Sequence, residues 1–420
     1  MDLKILENIV INQNKTITQQ DPGFTRDKLE DISKLINKTN IVITGHRRVG
    51  KSTLLLQIMQ KHYKNNYYYL NFLDERLIDF EINDFQKLYE IFQKNYGDRP
   101  IFFFDEVQGK KGWDKFVARI YETKKQKFII TGSNSDLLSK EISTYLTGRH
   151  TDIELFPFSF KEYLKYNSFD LDTRLTINKT NIQNQFKKYL EKGGFPEVVV
   201  NNNTSFLENI YLDVIYRDIF NRYKIKEQDT FKKIAQYLIS NCSKEFNYSS
   251  IKKNQVDIKS KNTIKKYITY LTNTYTLFEL NKFDYSLKRQ ESYNKKIYCI
   301  DTGLLNQIAF KFTENKGQLY ENLVFVELKR RNKEIYYYKN LKNQECDFLI
   351  KKAERIIEAI QVTYDLTDNK TKEREVKGLL SALNEFKLKD GIIITDNLEK
   401  EEVIDGKRIK FVPIINWLLE

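Results

Sequence analysis

The run Gly45-His46-Arg47-Arg48-Val49-Gly50-Lys51-Ser52 constrains the fold more than any other part of the 420-residue chain. A β-rich apolar segment, Ile41-Val42-Ile43-Thr44, precedes it, and a helix-forming stretch from Lys51 to Tyr63 follows. A strand that turns through two spaced glycines into a helix aims backbone N–H groups at one spot, and the positive end of the helix reinforces them. Such a turn cradles phosphate. The pattern G-x-x-x-x-G-K-[ST] is met at every fixed position and predicts nucleotide contacts from Gly45, Arg48, Val49, Gly50, Lys51, Ser52 and Thr53. Lys51 is expected to reach the β- and γ-phosphates, and the Ser52 hydroxyl to ligate Mg²⁺.

The surrounding sequence supplies the sheet that such a turn needs. Tyr67–Phe72, Ile101–Phe104 and Lys127–Thr131 read as further strands, with helices expected at 84–95 and 113–122. Continuous apolar strands alternating with helices predict a parallel sheet covered on both faces. Residues 1–40 read as a helical lead-in.

Asp105 and Glu106 follow the apolar strand Ile101-Phe102-Phe103-Phe104, at the end where ligands sit in open α/β sheets. Asp105 is expected to hold Mg²⁺ through water, and Glu106 to polarise an attacking water. Thr131-Gly132-Ser133-Asn134 ends the next strand, making Asn134 or Ser133 a candidate for sensing the γ-phosphate; an Asn helix cap is the plain alternative. Arg149, in Leu146-Thr147-Gly148-Arg149, is a candidate arginine finger in cis or toward a neighbouring subunit, with a solvated arginine as its alternative. Asn281-Lys282-Phe283-Asp284 has the form of a guanine-specific motif but lies far from the loop, which leaves ATP as the expected nucleotide.

With Leu155-Phe156-Pro157-Phe158-Ser159-Phe160-Lys161-Glu162-Tyr163-Leu164, Gly193-Gly194-Phe195-Pro196-Glu197 and Tyr216-Arg217-Asp218-Ile219, these motifs resemble the archaeal-type AAA ATPases. Those proteins, of the additional-strand branch of P-loop ATPases, join the ATPase to a poorly characterised C-terminal region. The resemblance covers most of the chain. It implies nucleotide and Mg²⁺ roles for Lys51, Ser52, Asp105 and Glu106, and it suggests one for Arg149.

Net charge is +13, and it is concentrated: Arg222–Lys296 carries 17 Lys/Arg against 7 Asp/Glu, a balance of +10. A polyanionic partner should be sought there. Lys259-Ser260-Lys261-Asn262-Thr263-Ile264-Lys265-Lys266-Tyr267-Ile268-Thr269-Tyr270-Leu271 puts Ile264, Tyr267, Ile268 and Leu271 on one apolar face, with Ser260 as a cap. Lys261, Lys265 and Lys266 then face solvent. Helix, helix and the β-like runs Leu277–Leu280 and Lys296–Ile300 form a winged-helix pattern, suited to DNA phosphates in a major groove or to a protein partner. The family resemblance implies the same module.

Toward the C-terminus, Glu321 on a helix, Asp347 entering a strand and Gln361-Val362-Thr363 on the next resemble the PD-(D/E)xK nuclease set. The E-x-K position, however, holds neither the acid nor the lysine that would ligate Mg²⁺ and steady the water. Glu358 falls three residues early, on the opposite face of the strand. A retained nuclease-like α/β scaffold without nuclease chemistry, used for binding or homo-oligomerisation, is the expectation.

The division expected is an ATPase domain over 1–160, a helical connector over 161–227, a winged-helix-like module over 228–305 and the nuclease-like domain over 306–420. Three scattered cysteines, the absence of an 18-residue apolar run, and an acidic start at Met1-Asp2 predict a cytoplasmic protein with no membrane partner. The function expected is a Mg²⁺-dependent ATPase coupled to a basic module. The alternatives are a nucleotide-gated protein- or DNA-binding switch with little hydrolysis, and an ATP-dependent nuclease.

Overall fold

Three consecutive phenylalanines at 102–104 are stable in a strand only if both faces of that strand are covered, and all three are fully buried. They lie in β3 (Ile101–Asp105) of a five-stranded parallel sheet with β1 (Asn40–Thr44), β2 (Tyr68–Asn71), β4 (Lys127–Gly132) and β5 (His150–Glu154), in the order β2-β3-β4-β1-β5. On one face α1 (Leu3–Thr18), α4 (Asp84–Tyr96) and α5 (Trp113–Lys124) bury Leu6, Leu88, Phe92 and Phe116 against Phe102, Phe104 and Phe128. The rings of Phe102 and Phe128 stack at 4.7 Å. Phe103 faces the other way, edge-on to Tyr63 and Tyr67. The helix α2 (Lys28–Leu35) precedes β1, and α3 (Lys51–Ile58) follows it directly and runs on as a π-helical turn, Met59–Tyr63. This is the α/β fold of P-loop NTPases, and β4 is inserted between the loop-bearing strand β1 and β3.

The computed structural model describes residues 1–135, 148–171, 176–254, 260–310 and 315–420. These form two units: Met1–Phe156 with Asn273–Tyr275, and Pro157–Thr272 with Thr276–Glu420. Leu146, Thr147 and Lys259, named above, fall outside the described residues.

The second unit opens with α6 (Phe160–Tyr166), started by a reciprocal capping box between Ser159 and Glu162. Then come α7 (Thr176–Lys192), α8 (Pro196–Asn201) and α9 (Ser205–Asp213), the last running on as a π-helical turn, Val214–Phe220. The basic region contains α10 (Gln228–Ser240), β6 (Glu245–Phe246), α11 (Tyr248–Asn254), α12 (Lys261–Asn273), β7 (Leu277–Asn281), α13 (Leu287–Ser292) and β8 (Lys295–Cys299). Its sheet has the order β6-β8-β7, antiparallel throughout. It therefore holds one more strand and two more helices than the helix–helix–strand–strand reading. Ile264, Tyr267, Ile268 and Leu271 are buried along α12, as their spacing predicts.

After α14 (Thr302–Ile308) comes a six-stranded mixed sheet. It is built from α15 (Lys316–Arg330), β9 (Glu334–Lys339), β10 (Glu345–Lys352), β11 (Arg355–Val362), α16 (Asn369–Glu385), β12 (Asp390–Thr395), β13 (Lys400–Ile404), β14 (Lys407–Pro413) and α17 (Ile414–Leu419), with strand order β13-β14-β12-β11-β10-β9. Among the described residues, no helix is long and apolar enough to cross a membrane.

Candidate nucleotide site

The turn from β1 into α3 is held by backbone geometry that the sequence pattern anticipates. Gly45 has φ 146°, and a Cβ there would lie 2.3 Å from the Leu155 carbonyl oxygen, so no other residue fits. Gly50 begins α3 at φ 94°, and between them Arg48 adopts φ 63°. Lys51 is buried, its ammonium donating to the carbonyls of Gly45 at 3.2 Å and His46 at 3.1 Å. It also pairs with Glu106 Oε1 at 3.1 Å. Ser52 and Thr53 are exposed on the first turn of α3.

Asp105, at the end of β3, is fully buried. Its carboxylate accepts from the hydroxyls of Thr131 and Ser52, and from Asn71 Nδ2 at 3.4 Å. Burial pushes the carboxyl up to about 6, and the charge of Glu106 adds to the rise. Glu106 sits at φ 54°, ψ 44°, a left-handed conformation unusual for a glutamate, with its N–H on Thr131 Oγ1 at 2.9 Å. Its Oε2 accepts from Gln108 Nε2 at 2.6 Å and from the Ser133 hydroxyl at 3.0 Å. Burial acts to raise the Glu106 carboxyl, but the charge of Lys51 and the bonds from Gln108 and Lys51 outweigh it and hold the group below the ordinary glutamate value. A buried aspartate touching a helix-N-terminal hydroxyl is an oxygen donor set that suits Mg²⁺, and the cradle at Gly45–Gly50 suits phosphate.

Of the two candidates ending β4, Ser133 donates to Glu106 Oε2, and Asn134, the next residue, is fully buried. The cis reading of Arg149 needs correction. Its carbonyl receives Asn40 N, at the N-terminal end of the β1–β5 ladder, while the loop lies at the C-terminal end. Five residues of strand at about 3.3 Å each separate the two levels. Arg149 instead pairs with Glu122 on the surface.

The sequence reading passed over Thr131, Gln108 and, most of all, Arg26. That arginine is buried in the turn between α1 and α2 and donates to the Val49 carbonyl at 2.8 Å and the Phe156 carbonyl at 2.8 Å. Gln57 of α3 holds the same turn through the carbonyls of Pro22 at 2.9 Å and Phe24 at 2.7 Å.

In the second unit, Lys261, Lys265 and Lys266 are all exposed on α12. The surplus of +10 is nevertheless not all surface charge. Lys296 is buried and pairs with Glu321 at 2.9 Å, Glu345 at 2.7 Å and Asp347 at 3.0 Å, while Lys295 pairs with Glu279 at 2.9 Å. Glu321, Asp347 and Gln361 do converge. Gln361 Oε1 accepts from Asp347 N at 3.1 Å, and its amide donates to Glu375. Burial raises the carboxyls of Glu321 and Asp347, in Asp347 well above the ordinary value, while Lys296 opposes the rise in both. Asn281–Asp284 lies in this unit, where Asp284 pairs with Arg289 at 3.0 Å.

An AAA domain family matches residues 37–164; a domain of unknown function (DUF8612) matches 183–315 and another (DUF4143) matches 316–417. The uncharacterized protein MJ1544 of Methanocaldococcus jannaschii is 38% identical, covering 100% of this chain and 96% of its own length. An uncharacterized Haemophilus influenzae protein is 31% identical over 90% of this chain and 94% of its own. Among solved structures, the Aeropyrum pernix ORC2 protein in its ADP form is 9% identical, covers 63% of this chain and 90% of that one, and has a TM-score of 0.32, too low to bear on function.

Proposed function

Because the chain belongs to one family with the uncharacterized Methanocaldococcus and Haemophilus proteins and carries an AAA domain over 37–164, we propose that it hydrolyses ATP, with Glu106 as the base, and couples its nucleotide state to the basic module over 228–305. The observation that carries this reading is the Glu106 carboxylate, only 10% exposed, held below the ordinary glutamate value and 3.1 Å from the Lys51 ammonium. A glutamate in that state at the end of β3 can accept a proton from water, the task that distinguishes a hydrolase from a simple nucleotide binder. Gly45–Gly50 would cradle the phosphates and Lys51 would balance their developing charge. Ser52 and Asp105 would hold Mg²⁺, which when bound neutralises charge on the phosphate oxygens. Ser133 and Gln108 would orient Glu106 through Oε2.

The test compares steady-state phosphate release by the wild type and Glu106→Gln, together with ATP binding. Loss of a positioned general base costs about 10²–10⁴ in rate, while binding should persist in the variant. Equal rates would sink the hydrolytic account.

A second reading, a nucleotide-gated switch with little hydrolysis, draws on the fact that both oxygens of Glu106 are already engaged, Oε1 by Lys51 and Oε2 by Gln108 and Ser133. It predicts tight ATP binding and a wild-type rate no greater than that of Glu106→Gln.

For the basic module, the order helix–strand–helix–helix–strand, a short helix and a last strand, with a β6-β8-β7 sheet, supports the winged-helix reading, and the exposed Lys261, Lys265 and Lys266 would contact DNA phosphates. The C-terminal order of helix, three strands, helix and three strands, ending in a short helix, supports a nuclease-like scaffold over 306–420. The Gln361-Val362-Thr363 sequence argues for its chemistry having been lost. Thr363 Oγ1 donates to the Asp365 carbonyl at 3.1 Å instead of serving the acidic residues.

A further inference from the structure

The nuclease-like reading leaves an unexplained feature: three buried or half-buried acids meeting at a single nitrogen. Lys296 enters from β8, outside the C-terminal sheet, and meets Glu321 from α15 and Glu345 and Asp347 from β10. Its Nζ lies 2.9 Å from Glu321 Oε1, 2.7 Å from Glu345 Oε1 and 3.0 Å from Asp347 Oδ1. An ammonium has three N–H donors and no acceptor. Three carboxylate oxygens therefore use every donor it has.

Further donors surround the acids, among them the Lys339 ammonium 3.4 Å from Glu345 Oε2. Tyr298 donates to Glu321 Oε1 at 2.7 Å, and Val362 N donates to Asp347 Oδ2 at 3.0 Å. Glu375, the nearby fourth acid, is held by Arg374 at 2.6 Å and by the Gln361 amide. Like charges gathered in a buried site repel strongly unless a cation sits among them. In this cluster that cation is a side chain.

We propose that Lys296 is the resident cation of this cluster: its ammonium stands at the coordination centre of Glu321, Glu345 and Asp347, joins β8 to the C-terminal sheet, and lets that sheet close without a divalent ion. The positive charge absent from Thr363 is thus supplied from another element, and at the centre of the acids, where a metal ion would otherwise be held. Removing the ammonium leaves oxygen donors from two elements around one point, the kind of set that binds Mn²⁺ or Mg²⁺. This inference does not depend on ATP being hydrolysed.

Mn²⁺ binding to the full chain without nucleotide, followed by the EPR signal of the free ion, tests the idea. The wild type and Asp347→Asn should bind the same number of ions. Lys296→Ala should bind one more, at least tenfold tighter than any wild-type site, and Lys296→Ala/Asp347→Asn should return to the wild-type number. A site lost from the wild type on Asp347→Asn would overturn the proposal, because it would mean that a metal displaces the ammonium. So would a folded Lys296→Ala with no added site. Should Lys296→Ala fail to fold by circular dichroism, the wild type and Asp347→Asn decide: equal numbers support a resident ammonium, and a lost ion refutes it.

Discussion

Replacing Arg26 by alanine should loosen the phosphate loop from behind. Its guanidinium donates to the carbonyls of Val49, inside the loop, and Phe156, each at 2.8 Å, from a position only 4% exposed. Hydrogen bonds from a charged donor contribute about 1.5–3 kcal/mol each, so the two together stabilise the unit by about 3–6 kcal/mol. The alanine variant also leaves two carbonyls without that donor in a buried place. The half of the loss that falls on Val49 acts on the loop itself and should weaken ATP binding by about 10- to 150-fold, since 1.4 kcal/mol is a factor of ten. Arg26→Lys keeps the charge but not the planar fork, and should recover only one of the two bonds. Urea unfolding measures the stability term, and titration with a fluorescent ATP analogue measures the affinity. An Arg26→Ala protein that folds, loses under 1 kcal/mol and binds ATP within twofold of the wild type would refute the reasoning.

Asp105 should give the nucleotide-free protein a distinct pH dependence. Its carboxyl rises from 3.8 to about 6 in the folded chain, so its stabilising contribution is full below 3.8 and disappears as pH rises through about 6. By linkage the wild type should lose about 2.4 kcal/mol relative to Asp105→Asn between pH 4 and 7; parallel stability curves from urea unfolding without Mg²⁺ would contradict this. Changing Lys261, Lys265 and Lys266 together to Glu should lower the slope of log affinity for duplex DNA against log salt by about 2.7, at roughly 0.9 per phosphate contact. An unchanged slope in a filter-binding series would move the DNA contact elsewhere.

What could be seen in the sequence was whatever repeats a local rule. The loop depends on fixed residue types at fixed spacing, and β3 on an unbroken apolar run, so both were legible. β5 was not, because it lies at the edge of its sheet and buries only Ile153 among His150–Glu154; a strand half in water carries little apolar pattern. Arg26 and Gln108 act through isolated long-range or loop contacts with no period to betray them. Thr131 had a usable signal, since β4 runs beside β3 and its last residues must flank Asp105. Lys295 and Lys296 mark the limit of counting charge. Adjacent residues of a strand point to opposite faces, so one lysine pairs with Glu279 while its neighbour enters a buried cluster of acids. Composition registers both as the same positive charge.

Two buried lysines among the described residues thus face acids, and their partners make them different devices. Lys51 holds two carbonyls and one carboxylate. A triphosphate would offer several negative oxygens at the place where those N–H groups converge, so on the proposed function its arrival would improve on the resting partners and free Glu106 Oε1 for water. Lys296 holds three carboxylates, all within 3.0 Å. No incoming anion improves on that, and a cation would have to expel the ammonium first. The same residue type is therefore exchangeable in one unit and fixed in the other. The difference lies in the charge of the acceptors, and burial, which the two lysines share, does not produce it. A ligand-driven change in this protein should begin at the Lys51–Glu106 pair, while the contact between β8 and the C-terminal sheet stays closed.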